Sequence, residues 1–168
     1  MGENMSAEEQ GVREYRYQVI PRTLSFIFKG DEVLLIKGAP TKKIWANKYN
    51  AIGGHVERGE DVMSSARREI IEETGLEVED LKLAGTLIVD ADPQIGIALF
   101  IFRAKYFSGQ LRESAEGELE WHQPMDIALL PVVADLPVIL DRMTRKPGEV
   151  FSGCSFYEKD KLIVQFDE

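Results

Sequence analysis

"GGHVERGEDVMSSARREIIEETGLEV" spans residues 53 to 78, and its reading decides the fold. From about Glu60 to Thr74, Val62, Ala66 and Ile70 recur every four positions with Met63 beside them, which predicts a helix with one face on a core. Gly75 ends that helix, where a residue at ease with positive φ closes the last turn. Glu69, Glu72 and Glu73 stand at i, i+3 and i+4, so three carboxylates share one helical face. Like charges at that spacing cost roughly a few tenths of a kcal/mol per pair. A solvated acidic face is one reading of them. A set of hard oxygen ligands for Mg²⁺ or Mn²⁺, completed by waters and substrate phosphates, is the other.

Outward from the helix, strands dominate. "RYQVIPRTLSFIF" (16–28), a turn at "KGD" and "EVLLIKG" (32–38) read as two strands, with Pro21 arguing for an edge position or a bulge. Residues 39–50, "APTKKIWANKYN", have loop character with aromatic insertions. "LKLAGTLIVDA" (81–91) and "IGIALFIFRAKYF" (95–107) are two apolar strands, the second nearly continuous and so central. "SGQLRESAEGELEW" (108–121) is an acidic loop returning to a strand end at Trp121. "DLPVILDRMTRK" (135–146) reads as a helix with Asp135 as N-cap and Pro137 in the first turn. A hairpin closes the chain, turning at "EKDK". Two helices on a mixed sheet make the fold α+β, an α/β/α sandwich.

Composition bounds the function. The 168 residues suit about one domain, expected over 15–168 behind a loose tail, 1–14, that lacks the apolar stretch of a signal peptide. A net charge of -9 excludes a broad grip on nucleic acid or an anionic membrane. It would also repel a polyphosphate unless metal ions and a few local Lys or Arg reverse the sign. Cys154 is the only cysteine, so there is no intrachain disulfide and no cysteine metal cage, which fits a reducing cytoplasm. No run approaches the roughly 18 apolar residues of a membrane helix.

Gly54, five residues, Glu60, seven residues, Arg68-Glu69-Ile70, one residue, Glu72-Glu73, one residue, Gly75-Leu76: this pattern resembles the Nudix box at every position. A chance match has odds on the order of 10⁻⁷ or less from average residue frequencies. The resemblance implies cleavage of a diphosphate linked to some group X. It assigns the metal to Glu69, Glu72, Glu73 and the Gly53 carbonyl, with Arg68 orienting a carboxylate. Glu60 would bind metal or brace the loop. Glu69 is the expected general base. Oxidised-purine nucleoside triphosphatases of the MutT type are similar beyond the box. That similarity implies that Asn50 and Asp135 read a purine, and that Glu116, five residues before Trp121, adds a metal ligand. Turn and cap roles stand beside those readings for Asn50 and Asp135. Trp45 and Tyr49 are candidates to flank the base, with packing on the core as the other reading of a loop aromatic, while Gly54, Lys37 and His55 are candidates to meet phosphate. Glu113, Glu118 and Glu120 read as solvated loop charges, and neither His55 nor His122 has the neighbours for a triad or a zinc site. The expected activity is Mg²⁺-dependent release of pyrophosphate from a nucleoside triphosphate such as 8-oxo-dGTP. Two alternatives stand beside it. One is a Nudix hydrolase of ADP-ribose, a dinucleoside polyphosphate or a nucleotide sugar. The other is a nucleotide-binding module without catalysis.

Overall fold

The computed structural model describes residues 6–13 and 15–167. Of the tail expected over 1–14, residues 1–5 and 14 lie outside the described residues; 6–13 are exposed and largely in turns. The strands are β1 (Gln18–Lys29), β2 (Glu32–Gly38), β3 (Tyr49–Asn50), β4 (Glu77–Val89), β5 (Ile95–Ser108), β6 (Gly117–His122), β7 (Phe151–Glu158) and β8 (Lys161–Phe166). They join one sheet in the order β3-β2-β1-β5-β4-β7-β8, with β6 paired to β2. β1 with β5 and β4 with β7 are parallel, and the other pairs are antiparallel, so the sheet is mixed.

Alternation along β1 sends its side chains to two cores. Leu24 and Phe26 pack with Leu136 and Ile139 of helix α2 (Leu136–Arg145), and Ile27 packs with Ala66 and Ile70 of α1 (Val62–Thr74). The sheet is thereby sandwiched between two helices, as the α+β reading requires. Phe26, Phe102 and Phe151 are fully buried, each contributing about 1.5–3 kcal/mol from removal from water. β5 is central, as its apolar run predicts.

β1 is internal to the sheet, which corrects the edge expected from Pro21. Beside the first half of β1 runs residue stretch 52–56 instead of a full strand: Thr23 and Ser25 donate to the carbonyls of Gly54 and Ile52 at 2.9 and 2.6 Å. Pro21 shares their side of the strand and lacks only a donor toward that stretch, while its carbonyl still accepts from Val56 at 3.1 Å. A 3-10 helix, Pro124–Leu129, has no counterpart in the sequence reading. β6 covers 117–122, a whole strand where the sequence suggested only a strand end.

Candidate active site

Helix α1 places the carboxylates. Asp61 caps its start by accepting from the Met63 and Ser64 N–H groups, both at 2.9 Å, and Gly75 closes it at φ 72°. The helix docks where stretch 52–56 runs beside β1. Ile52 and Gly54 face β1, so Gly53 between them turns its edge the other way, and its N–H donates to Glu73 at 3.4 Å. A Cβ at Gly54 would collide with the Glu69 carboxylate, and one at Gly53 would collide with the Thr23 carbonyl. The pair is therefore needed for close approach rather than for a left-handed backbone, since neither has positive φ.

Arg68 organises the loop. Its Nε and Nη2 meet the two Glu60 oxygens at 2.8 and 3.0 Å, Nη1 holds Glu69 at 2.7 Å, and Nη2 also donates to the His55 carbonyl at 3.1 Å. Hydrogen bonds from Arg68, then from the Glu57 N–H, hold the Glu60 carboxyl down to about 2. Glu60 thus braces the loop. Glu73 is pushed the other way, up to about 7, first by burial and then by the negative charge of Glu69. Glu72 is mostly exposed and reaches Arg68 Nη1 at 3.2 Å.

A cleft of about 380 Å³ is lined by Glu69, Glu73, Glu116, Gly53, Gly54 and Asn50 among others. Pairing of β6 with β2 delivers Glu116, whose carboxylate meets Lys42 at 2.5 Å. Beside the cleft, a recess of about 80 Å³ shares Arg22, Trp45 and Asn50 with it and is lined by Asp135. Asp135 stands at the start of α2 but makes no side-chain cap bond, so the expected cap role fails. Burial raises its pKa. Asn50 uses its oxygen to accept from the Ala51 N–H at 2.8 Å, which leaves the amide nitrogen for a ligand.

Other expectations do not converge here. Lys37 lies between Ile36 and Gly38, which line the cleft, so strand alternation sends it to the opposite face. Its ammonium lies 5.8 Å from the Tyr49 ring centroid, and the cavity Lys37 borders, about 670 Å³, contains none of Glu69, Glu73 and Glu116. Tyr49 is only 6% exposed, donates to Glu120 at 2.8 Å and meets His122 edge-on, so it is a core residue and cannot flank a base. That bond also removes Glu120 from the expected set of solvated loop charges. Trp45, 45% exposed, remains at the recess. Lys42, Lys48 and Arg22 line the cleft and were absent from the sequence reading. For Arg22 a signal exists: it shares the core-facing side of β1 with Leu24 and Phe26, where a charge is out of place.

The donor set fits a divalent cation. Buried carboxylates short of positive charge are what raise the Glu73 pKa. Among the described residues no three carboxylate, histidine or cysteine groups form a closed cage. An ion held here would complete its shell from the Gly53 carbonyl, water and phosphate, the habit of Mg²⁺.

A glutamate helix against a glycine strand, beside a recess with hydrogen-bonding groups, belongs to hydrolases of acid anhydride bonds. The chain is a member of the Nudix family: the NUDIX domain matches residues 20–143. It is 34% identical over 149 residues to the uncharacterized Nudix hydrolase YvcI of Bacillus subtilis (strain 168), covering 86% of this chain and 92% of that one. Over 144 residues it is 34% identical to the oxidized purine nucleoside triphosphate hydrolase of Danio rerio, covering 85% and 90%. The MutT protein from Bacillus halodurans superposes with a TM-score of 0.75 at 26% identity, over 88% of this chain and 97% of that one. The family acts on small nucleotides and generally uses a divalent metal. Among the described residues no helix is long and apolar enough to cross a membrane.

Proposed function

We propose that residues 15–168 act as one domain, a cytoplasmic Mg²⁺-dependent pyrophosphohydrolase of a nucleoside triphosphate, with an oxidised purine such as 8-oxo-dGTP as substrate. The observation that carries this reading is the recess: an Asn50 amide and an uncapped, half-buried Asp135 carboxyl flank a cavity that opens into the carboxylate cleft. Burial raises the Asp135 pKa; in its protonated form the carboxyl would donate to a purine while Asn50 donates beside it. Similarity to the Danio rerio hydrolase supports the same substrate class.

Glu69, Glu73, Glu116 and the Gly53 carbonyl would hold Mg²⁺ or Mn²⁺, with Glu72 on the solvent side. When bound, the cation neutralises phosphate oxygens and acidifies a water. Glu69, fixed by Arg68, takes the proton of the attacking water. Lys42 and Lys48 offset charge at the triphosphate end, and Gly54 keeps the backbone clear of Glu69. Monophosphate and pyrophosphate leave. A binding module without catalysis would not need this carboxylate set.

The test is a product assay with Mg²⁺ over 8-oxo-dGTP, dGTP, ATP, dCTP, ADP-ribose, a dinucleoside polyphosphate and a nucleotide sugar. The highest kcat/KM is expected for the oxidised purine. Asn50→Ala and Asp135→Ala should raise its KM about 5- to 150-fold while barely changing turnover of dCTP. A preference for ADP-ribose would remove the substrate and leave the chemistry.

A further inference from the structure

Among the described residues, Arg22 is a cleft cation that no ion pair or side-chain hydrogen bond accounts for. It lines both the carboxylate cleft and the recess, so it stands where a bound nucleotide passes from base to phosphates. Other cations of the site are committed elsewhere: Lys42 pairs with Glu116, and Arg68 pairs with Glu60 and Glu69. Among the described residues Arg22 has no ion pair and no side-chain hydrogen bond, although its side chain is half-buried in a chain of net charge -9. Desolvation without a partner lowers its pKa. A guanidinium so placed carries a burial cost that a bound anion would relieve. Lys48 is also unpaired at the cleft among the described residues, but it sits on an exposed loop and lines no part of the recess.

Arg22 is also aimed. Its guanidinium carbon lies 6.0 Å from the Trp45 ring centroid, within reach of a cation–π contact. Trp45 itself holds a left-handed backbone at φ 61°, and its carbonyl leaves no room for a side chain at Gly38. Trp45 therefore limits the directions the guanidinium can take, and the planar fork keeps its paired donors for a phosphate.

Resting on the proposed nucleotide reading, we infer that Arg22 binds the phosphate that stays attached to the nucleoside, the α-phosphate of substrate and the monophosphate of product. It is a phosphate-binding residue that sets how the nucleotide spans recess and cleft. Lys37, the sequence candidate for that task, lines neither the cleft nor the recess.

The experiment is equilibrium binding by calorimetry to the Mg²⁺-loaded protein, with 8-oxo-dGMP, AMP, 8-oxo-deoxyguanosine and pyrophosphate as probes. Arg22→Met should weaken 8-oxo-dGMP about 10- to 100-fold, with 8-oxo-deoxyguanosine and pyrophosphate within about twofold of wild type. Arg22→Lys should recover part of the loss, because it restores charge without the bidentate fork. Arg67→Met, on the exposed face of α1, controls for net charge. Equal weakening of monophosphate and nucleoside, or a large drop in melting temperature in both Arg22 variants, would make Arg22 structural and overturn the assignment. So would unchanged 8-oxo-dGMP binding in Arg22→Met. Should the wild type bind AMP and ignore 8-oxo-dGMP, the oxidised-purine reading falls. The Arg22 assignment then stands or falls on whether Arg22→Met weakens AMP.

Discussion

Gly53 and Gly54 are adjacent and chemically identical, yet they answer to different neighbours. A methyl on Gly53 meets the Thr23 carbonyl, a backbone atom that cannot turn aside, whereas a methyl on Gly54 meets the end of the Glu69 side chain. Gly53→Ala should therefore destabilise the protein by about 1–3 kcal/mol by prising stretch 52–56 from β1. Gly54→Ala should melt near wild type and lose kcat, because Glu69 can move only by leaving Arg68. Melting curves and kcat measured on both variants check this, and the reverse pattern would refute it. Glu73 gives a pH-dependent counterpart. Its folded pKa of about 7 lies above its ordinary value of 4.5, so the folded state is the one that binds the extra proton between them. That contribution is fully present below pH 4.5 and is lost as pH rises through 7. In chelator, Glu73→Gln should melt above wild type at pH 8, with the gap closing toward pH 5. A gap that is constant with pH would show that Glu73 does not titrate in this range.

Helix α1 is where sequence and structure agree most closely, because its signals are local. Asp61 accepts from Met63, Ser64 and the Ser64 hydroxyl at its start, and Gly75 takes the left-handed turn at its end. Asp61→Ala should lower the melting temperature by roughly 2–6 °C while kcat stays close to wild type, since the cap touches no carboxylate of the cleft. A severe loss of kcat would mean that the cap sets the register of the glutamates. The C-terminal hairpin was legible for the same reason: Lys159 and Asp160 within "EKDK" both take positive φ, as a tight turn between strands demands. Elements fixed by long-range pairing were not. Pro21 suggested an edge because a strand's second neighbour, here the glycine stretch, leaves no mark in its own residues. β6 looked like an acidic loop because its pairing with β2 is what makes Glu120 a partner for Tyr49. The spacing that singled out Glu69, Glu73, Glu116, Asn50 and Asp135 named residues that the fold gathers around one cleft and its recess. Lys37 lines neither, because alternation turns it from Ile36 toward the Tyr49 ring.

Across the whole molecule, charge opposes the expected substrate. The chain carries -9, and Glu69, Glu73 and Glu116 line the very cleft that a triphosphate would enter. A carboxylate and a phosphate charge about 4 Å apart repel by on the order of 4 kcal/mol at the effective dielectric of a protein surface. Even with Glu73, whose pKa is about 7, only part-ionised near neutral pH, the three carboxylates outweigh recess hydrogen bonds worth roughly 0.5–1.5 kcal/mol each. Lys42 is partly spent on Glu116, so the side chains alone leave the balance unfavourable. Divalent cations bound there would reverse it, since each would bring two positive charges into a site with oxygen donors. Turnover should therefore fall to background in excess chelator and return with Mg²⁺. Binding should change order as well. Without metal, a non-hydrolysable triphosphate analogue should bind more weakly than its nucleoside, because phosphate repulsion outweighs the basic groups. With Mg²⁺ the analogue should bind more tightly. Calorimetry in chelator and in Mg²⁺ reads both arms. Full turnover in chelator would remove the metal from the mechanism. An analogue that binds more tightly than the nucleoside in chelator would show that Arg22, Lys42 and Lys48 already make the cleft attractive to phosphate.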